Sequence, residues 1–486
     1  MTIVLFCLTT VLAVSLLLDA LVRPRRKMSA LLRGRQLHLL LVAAFFGLFL
    51  AFSGGAVVSG LLTVALVALF TVVSNAKQRF LGEPLVFSDL ALVVALFRHP
   101  RFYFTALSTA QKALLTAAAP LLVIALSTLY VRRIEPHIAG VAIFLLSLAS
   151  LVALISVMRR RGDANAPDLE ADLHRHGLIG TLLLYWLRWR ETVDPNPIPP
   201  VSPAASAVNA PDLLIVVQCE SFADPVELTG DIDLALPGLA QAREQAWQWG
   251  NLTVSGFGAY TMRTEYGVLF GRSEQELGFR RYDPFLTAHG ETSYALPARL
   301  RNFSYRCFFV HPHDMRFYGR DRLMPAAGFD TLIGESSFPP LPPGNRYVDD
   351  GALGRAIGAL IDQCSEPTLV YAVTMENHGP WSKDELTGSP GGLGAYMRHL
   401  HSSDAMLAGQ IDHLRRAGRS ALLVFFGDHR PSIPGVLEPG GARHTPYVIV
   451  RVSASGEIVK GANKRVDLTP DQLHKAVLDT VVAQEV

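Results

Sequence analysis

The hydrophobic residues of this 486-residue chain are unevenly distributed, and this imbalance constrains the fold more than any other feature. Half of all residues are hydrophobic, yet the long apolar stretches are confined to the first 158 residues. A helix needs about 20 apolar residues to cross a bilayer. Stretches near that length run at about 1–22, 37–53, 56–74, 112–130 and 138–158. The sequence therefore predicts a multi-span transmembrane domain of about five helices over residues 1–160.

The orientation of this membrane domain is open from sequence alone. Charged residues and a proline at 98–101 interrupt segment 85–107, which favours a re-entrant or interfacial piece over a further span. Basic residues between positions 23 and 36 favour a cytoplasmic loop. With five spans, the C-terminal part of the chain would then also lie in the cytoplasm. A further crossing at 85–107 would place it outside.

Residues 161–210 form the predicted connection to the rest of the chain. Within it, residues 167–190 have the pattern of an amphipathic helix. Its leucine and tryptophan side chains either lie on the membrane surface or pack against their own domain. Residues 194–210 are rich in proline and small residues, a composition typical of an extended, semi-stiff spacer.

From about residue 211 onward the composition is that of an ordinary soluble α/β domain. The net charge of +2 gives no support to nucleic-acid binding. The four cysteines have neither zinc-finger nor redox spacing, so no disulfide is predicted.

Four predicted strands of this domain are each followed by a carboxylate or an imidazole. Residues 213–217 lead to Glu220, 307–310 to His311, 368–374 to His378, and 421–427 to Asp428 and His429. Open α/β sheets build their sites at the carboxyl ends of strands. Each side chain alone could be solvated or structural, but the repeated placement indicates an enzyme with a metal site. Carboxylate and imidazole ligands suit Mn²⁺, Mg²⁺ or Zn²⁺.

Thr261 follows a glycine-rich loop and opens a predicted helix over 261–270. A hydroxyl at a helix start most often caps the helix. It could instead attack a substrate, because the helix dipole and a nearby cation would stabilise its alkoxide. Thr264 is the rival hydroxyl. A divalent ion would lower the pKa of the attacking hydroxyl and hold a phosphate oxygen.

These motifs resemble the sulfatase-like catalytic domain of the alkaline phosphatase superfamily, and within it the lipoteichoic acid synthases and membrane phosphoglycerol transferases. The resemblance is carried by Glu220 before a serine, by Thr261 four residues before a glutamate, and by Asp428 and His429 after a glycine. It implies an α-helical transmembrane domain followed by an α/β sulfatase-like domain over 211–486. In that domain a central mixed β-sheet is flanked by helices.

The resemblance also implies roles for individual residues. Thr261 is expected to be the nucleophile and a metal ligand, together with Glu220, Asp428 and His429. One divalent ion is expected, Mn²⁺ in preference to Mg²⁺ or Zn²⁺. The expected substrate-binding residues are His311, Arg320, His378 and Tyr318.

Two features depart from the family pattern. Tyr260 precedes the nucleophile where relatives carry a lysine or similar residue, and Arg430 and Pro431 follow the metal pair. His444 could join His378 in a second metal site or cap the strand near 446–451, and we expect the cap.

The resemblance implies a phosphoglycerol transferase. It would move phosphoglycerol from a phosphatidylglycerol-like membrane lipid to a cell-envelope glycan through a phospho-threonine intermediate. Such a protein would be a multi-pass protein of the bacterial cytoplasmic (inner) membrane with a periplasmic catalytic domain. The alternatives are phosphoethanolamine transfer to lipid or glycan, a membrane-anchored phosphodiesterase or sulfatase-like hydrolase, and a non-catalytic scaffold. A sulfatase is disfavoured because the Cys/Ser-x-Pro-x-Arg signature is missing near Thr261.

Overall fold

The computed structural model describes residues 1–24, 32–90, 130–162, 165–202, 210–341, 345–381, 392–433 and 435–482. The chain divides into two compact units, Met1–Thr192 and Val193–Val486. The predicted membrane domain falls within the first unit and the predicted catalytic domain within the second.

The N-terminal unit is built from long apolar helices. They are α1 (Thr2–Ala20), α2 (Leu32–Ser53), α3 (Ala56–Leu81) and α4 (Ile134–Arg160). All four are long and apolar enough to cross a membrane. They correspond to four of the predicted spans. The span predicted at 112–130 and the segment 85–107 fall largely outside the described residues.

Two shorter helices follow, where the sequence predicts one amphipathic helix over 167–190. Helix α5 (Leu169–His176) and helix α6 (Leu178–Glu191) are separated by Gly177, whose φ of +74° interrupts the helix. Leu178 and Leu182 are buried in a cluster with Val22, Leu85 and Leu173. Helix α6 therefore packs against its own unit, which is the second of the two expected arrangements.

The described part of the proline-rich segment, residues 194–202, has neither helix nor strand and is bound to the second unit. The Val201 N–H donates to the carbonyl oxygen of Arg299 at 2.8 Å. Asp194 forms an ion pair with Arg280 at 2.7 Å. Residues 193–202 thus lie along the catalytic unit instead of forming a free spacer.

The second unit has an eight-stranded mixed sheet with the strand order β4-β3-β5-β1-β6-β7-β2-β8. Its strands are β1 (Leu213–Cys219), β2 (Gln248–Thr253), β3 (Arg306–Val310), β4 (Thr331–Ile333), β5 (Thr368–Val373), β6 (Ala421–Gly427), β7 (His444–Val452) and β8 (Lys464–Arg465). Strands β4, β3, β5, β1 and β6 are parallel, whereas β7 is antiparallel to both of its neighbours. The fold class predicted from the sequence is confirmed.

Helices cover both faces of this sheet, which explains why β1 is buried along its whole length. The helices are α7 (Pro225–Thr229), α8 (Pro237–Gln245), α9 (Thr261–Phe270), α10 (Glu274–Leu277), α11 (Leu296–Arg299), α12 (Arg320–Ala326), α13 (Asp350–Gln363), α14 (Leu393–Arg416) and α15 (Pro470–Val482). Ile215 and Val217 share a core cluster with residues of α8, α13 and α14. Gln218 points to the opposite face, where it contacts Glu265 of α9.

The neighbouring parallel strands β3, β5, β1 and β6 end at the same edge of the sheet. Their paired registers place Val310 beside Ala372, Val373 beside Gln218, and Cys219 beside Gly427. The side chains that follow these strands therefore form a row in the order His311, His378, Glu220 and Asp428. This edge carries the candidate site.

Candidate active site

Glu220, Asp428 and His429 form a compact buried cluster at the ends of β1 and β6. Their nearest potential ligand atoms all lie within 4.8 Å of one another. Nε2 of His429 lies 3.3 Å from Oε1 of Glu220 and 3.7 Å from Oδ2 of Asp428. Two carboxylates and one imidazole in this arrangement could hold a divalent cation.

The backbone at this point is shaped by Gly427 and Ser221. A Cβ on Gly427 would lie 1.9 Å from the carbonyl oxygen of Phe222, so only glycine permits this approach of β6 to the β1 loop. Ser221 adopts a left-handed φ of +50°. Its N–H donates to Oδ1 of Asp428 at 2.8 Å, which ties the two strand ends together.

The charges of this cluster are strongly coupled. Burial, reinforced by Glu220, raises the pKa of Asp428 to about 7. Burial also opposes the charge of Glu220, but His429 outweighs it and lowers the pKa of Glu220 to about 2. The two carboxylates in turn raise the pKa of the buried His429 to about 9. The imidazolium thus balances negative charge that a divalent cation could balance instead.

Asp428 provides a direct indication that the residues fit a metal ion. Its Oδ1 accepts two backbone N–H groups, from Ser221 and His429, each at 2.8 Å. Its Oδ2 is buried and has no hydrogen-bond partner among the described residues. A buried carboxylate oxygen without a donor is costly, and a cation would satisfy it.

Thr261 lies at the first position of α9 and faces this cluster. Its hydroxyl donates to Oε2 of Glu220 at 3.3 Å. Tyr260, which precedes it, is held at a left-handed φ of +79° with Arg263 stacked 4.0 Å from its ring. The N-cap position of α9 is held by Tyr260, whose side chain makes no capping hydrogen bond. Thr261 is the first residue inside the helix and therefore does not cap it.

Thr264 has a different environment. It is 1 % exposed, and its hydroxyl donates to the carbonyl oxygen of Asp428 at 2.7 Å. This hydroxyl therefore supports the backbone of a candidate ligand. Of the two rival hydroxyls, the structure brings only Thr261 against the carboxylate cluster.

Arg320, predicted to bind phosphate, lies in a buried ion pair. Its Nε and Nη2 donate to the two carboxylate oxygens of Glu265 at 3.0 and 2.5 Å. Nη1 lies 3.3 Å from Nε2 of His311, whose Nδ1 lies 3.1 Å from the carbonyl oxygen of Val373. Burial and the Arg320 charge keep the pKa of His311 well below its usual value. Phosphate binding by Arg320 stays a prediction, because two of its five N–H donors are occupied by Glu265.

His378 and Tyr318 lie on the β5–β3 side of the cluster. His378 lies close enough to Glu220 to contribute, after His429, to the lowered pKa of that carboxyl. Tyr318 has a left-handed φ of +58°, and its ring lies 5.0 Å from the Arg320 guanidinium. Both residues are partly exposed, so a substrate has access to them.

His444 begins β7 and lies in a separate polar group. Its Nε2 lies 2.6 Å from Glu227 and 2.8 Å from Nη2 of Arg430. In the described part of the chain the potential metal ligands cluster only at Glu220, Asp428 and His429, so His444 does not form a second centre with His378. This agrees with the expected position of His444 at the start of a strand.

Sequence reasoning missed two residues of this region, Ser221 and Tyr347. The Ser221 hydroxyl donates to Oε1 of Glu220 at 3.0 Å, and only its place directly after Glu220 could have indicated this. The Tyr347 hydroxyl lies 3.4 Å from Nδ1 of His378. Tyr347 stands in a loop and has no sequence pattern that could have revealed it.

Comparison with known families agrees with this arrangement. The sulfatase family matches residues 212–476, which include the whole cluster and more than half of the chain. The chain belongs to the sulfatase family. This confirms the predicted sulfatase-like domain, whose members use a metal ion.

Individual relatives extend the similarity over the membrane unit. The chain is 27% identical over 470 residues to the capsular polysaccharide biosynthesis protein RkpI of Rhizobium meliloti, covering 91% of this chain and 86% of the relative. The integral membrane protein lipooligosaccharide phosphoethanolamine transferase A (EptA) of Neisseria meningitidis aligns with a TM-score of 0.55 at 14% identity. That alignment covers 94% of this chain and 96% of EptA. The phosphoglycerol transferase GacH of Streptococcus pyogenes aligns with a TM-score of 0.46 at 18% identity, over 57% of this chain and 76% of GacH.

Proposed function

We propose that this protein transfers phosphoglycerol from a membrane phospholipid to a cell-envelope glycan through a phospho-threonine intermediate on Thr261. The observation that carries the proposal is the position of the Thr261 hydroxyl, which lies 3.3 Å from Glu220 beside Asp428 and His429. A hydroxyl at a helix start, facing a cluster suited to a cation, is the arrangement that nucleophilic attack on phosphorus requires.

In the first half-reaction, Thr261 Oγ1 forms a bond to the phosphorus of the lipid phosphodiester. The bond from phosphorus to the diacylglycerol oxygen breaks, the Thr261 hydroxyl gives up its proton, and the leaving oxygen takes up a proton to form diacylglycerol. We assign this proton transfer to His378, because both ring nitrogens of His311 already lie against Val373 and Arg320. In the second half-reaction the oxygen of a glycan hydroxyl forms a bond to the same phosphorus, the bond from phosphorus to Thr261 Oγ1 breaks, and the proton of the glycan hydroxyl passes to Thr261.

A divalent ion held by Glu220, Asp428, His429 and Thr261 would neutralise charge on the phosphorus oxygens and lower the pKa of the Thr261 hydroxyl. Two carboxylate oxygens and one imidazole suit Mn²⁺, Mg²⁺ or Zn²⁺, and of these we propose Mn²⁺, the ion that the family resemblance implies. The chain's own contribution is to fix these groups. Ser221 and Thr264 hold the Glu220 and Asp428 ends of the cluster through hydrogen bonds of 3.0 and 2.7 Å.

The donor and acceptor follow from the rest of the chain. Helices long enough to cross a membrane keep the enzyme in the same bilayer as a phosphatidylglycerol-like donor. The similarity to RkpI, a capsular polysaccharide biosynthesis protein, supports a glycan acceptor. Lipid donor and envelope glycan meet at the outer face of the bacterial inner membrane, where we place the catalytic unit.

Mass spectrometry of the intact full-length protein tests the proposal. After incubation with Mn²⁺ and phosphatidylglycerol, without acceptor, we expect a phosphoglycerol adduct on the peptide that contains Thr261. Thr261→Ala should carry no adduct and should keep the wild-type melting temperature, because Thr261 does not cap α9. An adduct from phosphatidylethanolamine instead would identify the alternative donor. An adduct at another residue, or none from either lipid, would overturn the covalent mechanism.

A further inference from the structure

Arg346 and Tyr347 lie beside the predicted substrate-binding histidines, yet the site described above gives them no role. The Tyr347 hydroxyl is 3.4 Å from Nδ1 of His378, and the two rings are 5.5 Å apart. The Tyr347 ring also lies 6.3 Å from the His313 ring, which lies 5.8 Å from the His311 ring. A row of imidazole and phenol groups therefore lines the β3–β5 side of the cluster.

The Tyr347 hydroxyl can donate its proton to a ligand. Nδ1 of His378 is 2.7 Å from the carbonyl oxygen of Gly379, a closer contact than the 3.4 Å to Tyr347. We therefore assign the Nδ1 proton to the Gly379 bond, which leaves Nδ1 unable to accept from Tyr347. Within the described ranges the hydroxyl makes no other hydrogen bond. Burial raises the pKa of Tyr347 to about 12, so the phenol keeps its proton.

Two guanidinium groups already occupy the aromatic faces on this side. Arg346 lies 5.0 Å from the centre of the Tyr347 ring, and Arg320 lies 5.0 Å from that of Tyr318. Arg346 also donates to the carbonyl oxygen of Gly379 at 3.2 Å, which holds its charge beside His378. An ammonium headgroup is commonly held by aromatic faces or carboxylates. Here Arg346 would repel it, whereas the charge of Arg320 is already paired with Glu265.

Two described carboxylates close to these residues, Asp349 and Glu376, are engaged in hydrogen bonds of their own. Oδ1 of Asp349 accepts from the Ala352 N–H and caps α13. Oε2 of Glu376 accepts from the Asp350 N–H at 2.6 Å and from the Ser402 hydroxyl at 2.8 Å. Among the described residues, this side of the site therefore offers a ligand neutral hydrogen-bonding groups and the positive charge of Arg346, with Glu220 of the cluster as the nearby negative charge.

From this arrangement, and on the basis of the proposed function, we infer that Arg346 and Tyr347 select the donor headgroup. The Tyr347 hydroxyl donates a hydrogen bond to an uncharged polyol such as glycerol, and the charge of Arg346 disfavours a cationic amine such as ethanolamine. The imidazole of His313, next to Tyr347, is consistent with selection of an uncharged headgroup. Burial and the Arg320 charge lower the pKa of His313 to about 4, so at neutral pH it presents a neutral ring to the polyol.

A donor competition with the full-length enzyme tests this selection. Phosphatidylglycerol and phosphatidylethanolamine are supplied together in mixed micelles with Mn²⁺, and the two Thr261 adducts are quantified by mass spectrometry. In Arg346→Glu we expect the glycerol-to-ethanolamine ratio to fall by about tenfold, since the variant replaces repulsion of the amine by attraction. In Tyr347→Phe we expect glycerol labelling to fall by about threefold to tenfold, with ethanolamine labelling unchanged.

Arg306→Glu provides the matched control. Arg306 is also exposed and lies over an aromatic ring, 5.2 Å from that of Phe308, but it begins β3 at the opposite edge of the sheet. The glycerol-to-ethanolamine adduct ratio of Arg306→Glu should equal that of the wild type. An unchanged ratio in Arg346→Glu, or equal loss of both adducts in Tyr347→Phe, would overturn the selection while leaving phosphoglycerol transfer intact. No adduct from either lipid in the wild type would overturn the proposed function and the selection with it.

Discussion

At the scale of single residues, Thr261 and Thr264 show how partners separate two similar side chains. Both stand on α9, but Thr261 donates to a carboxylate of the cluster and Thr264 to a backbone carbonyl behind it. We predict that Thr264→Val lowers the free energy of unfolding by about 1–3 kcal/mol, since the Asp428 carbonyl loses its buried donor. The Thr261 adduct should still form in this variant.

Denaturant unfolding and adduct mass measured on the same preparations check this prediction. Thr261→Val serves as the comparison, with unchanged stability and no adduct. If Thr264→Val lost the adduct while its unfolding midpoint stayed at the wild-type value, Thr264 would be the nucleophile, contrary to the structure.

Glu220 carries a second residue-scale prediction, on metal binding. Glu220→Gln removes one of two buried carboxylates, so we expect Mn²⁺ affinity to fall by at least about tenfold. Titration calorimetry of the chelator-treated protein measures this directly, without reference to turnover. Glu335→Gln, which changes an exposed glutamate of the same unit, should bind Mn²⁺ as the wild type does. Equal affinity in Glu220→Gln would remove Glu220 from the metal site.

The sequence could predict Glu220, Asp428 and His429 because these residues follow the ends of two apolar strands directly. The predicted strand 421–427 and the observed β6 coincide, and Asp428 follows at once. The contacts of Arg320 could not be predicted in the same way. Its ion pair with Glu265 joins residues 55 positions apart on two helices, and no local pattern reports such a pairing.

At the scale of secondary-structure elements, the nucleophile helix α9 is held from behind by α15. Nδ1 of His474 in α15 donates to the carbonyl oxygen of Val268 in α9 at 2.8 Å. The ring also fills the space beside Gly271, where an added Cβ would lie 2.4 Å from it. Burial lowers the pKa of His474 from 6.5 to about 4. The contact between α9 and α15 therefore depends on a neutral imidazole.

This pKa shift predicts a loss of stability in acid. Between pH 6.5 and 4 the unfolded chain takes up a proton at His474 that the folded chain does not, so stability falls as the pH falls through this window. The full effect is about 3 kcal/mol. His474→Asn keeps a donor for Val268 without the titration. Its unfolding midpoint should therefore change less than that of the wild type between pH 7.5 and 5. Equal changes in both proteins would show that His474 is not the cause.

The break between α5 and α6 shows what an amphipathic pattern leaves undetermined. Leucines at 178 and 182 fit one continuous helix, but Gly177 adopts a φ of +74° and splits it. The new N-terminus of α6 is capped from far away, because the Leu178 N–H donates to Oδ1 of Asp19 at 3.0 Å. The hydrophobic pattern of one segment cannot predict a hydrogen bond to a residue 159 positions away.

At the scale of the whole molecule, each of the two units has its own buried core. The proline-rich residues 193–202 belong to the catalytic unit through Val201 and Asp194. A fragment that starts at residue 193 should therefore keep these bonds. We predict that fragment 193–486 folds without the membrane helices and binds Mn²⁺ with an affinity within about twofold of the full-length value. Calorimetry and thermal unfolding test both statements.

The same fragment separates the chemistry of the site from access to its donor. On a short-chain phosphatidylglycerol dissolved below its micelle concentration, adduct formation on Thr261 should proceed at a similar rate in the fragment and the full chain. On phosphatidylglycerol vesicles the full chain should be faster by at least about tenfold, because membrane helices raise the local concentration of donor around the site. Equal rates on vesicles would mean that the N-terminal unit does not bring donor to the enzyme. In that case we would expect the N-terminal unit to serve the glycan acceptor. A comparison of acceptor binding by the fragment and by the full chain would test this.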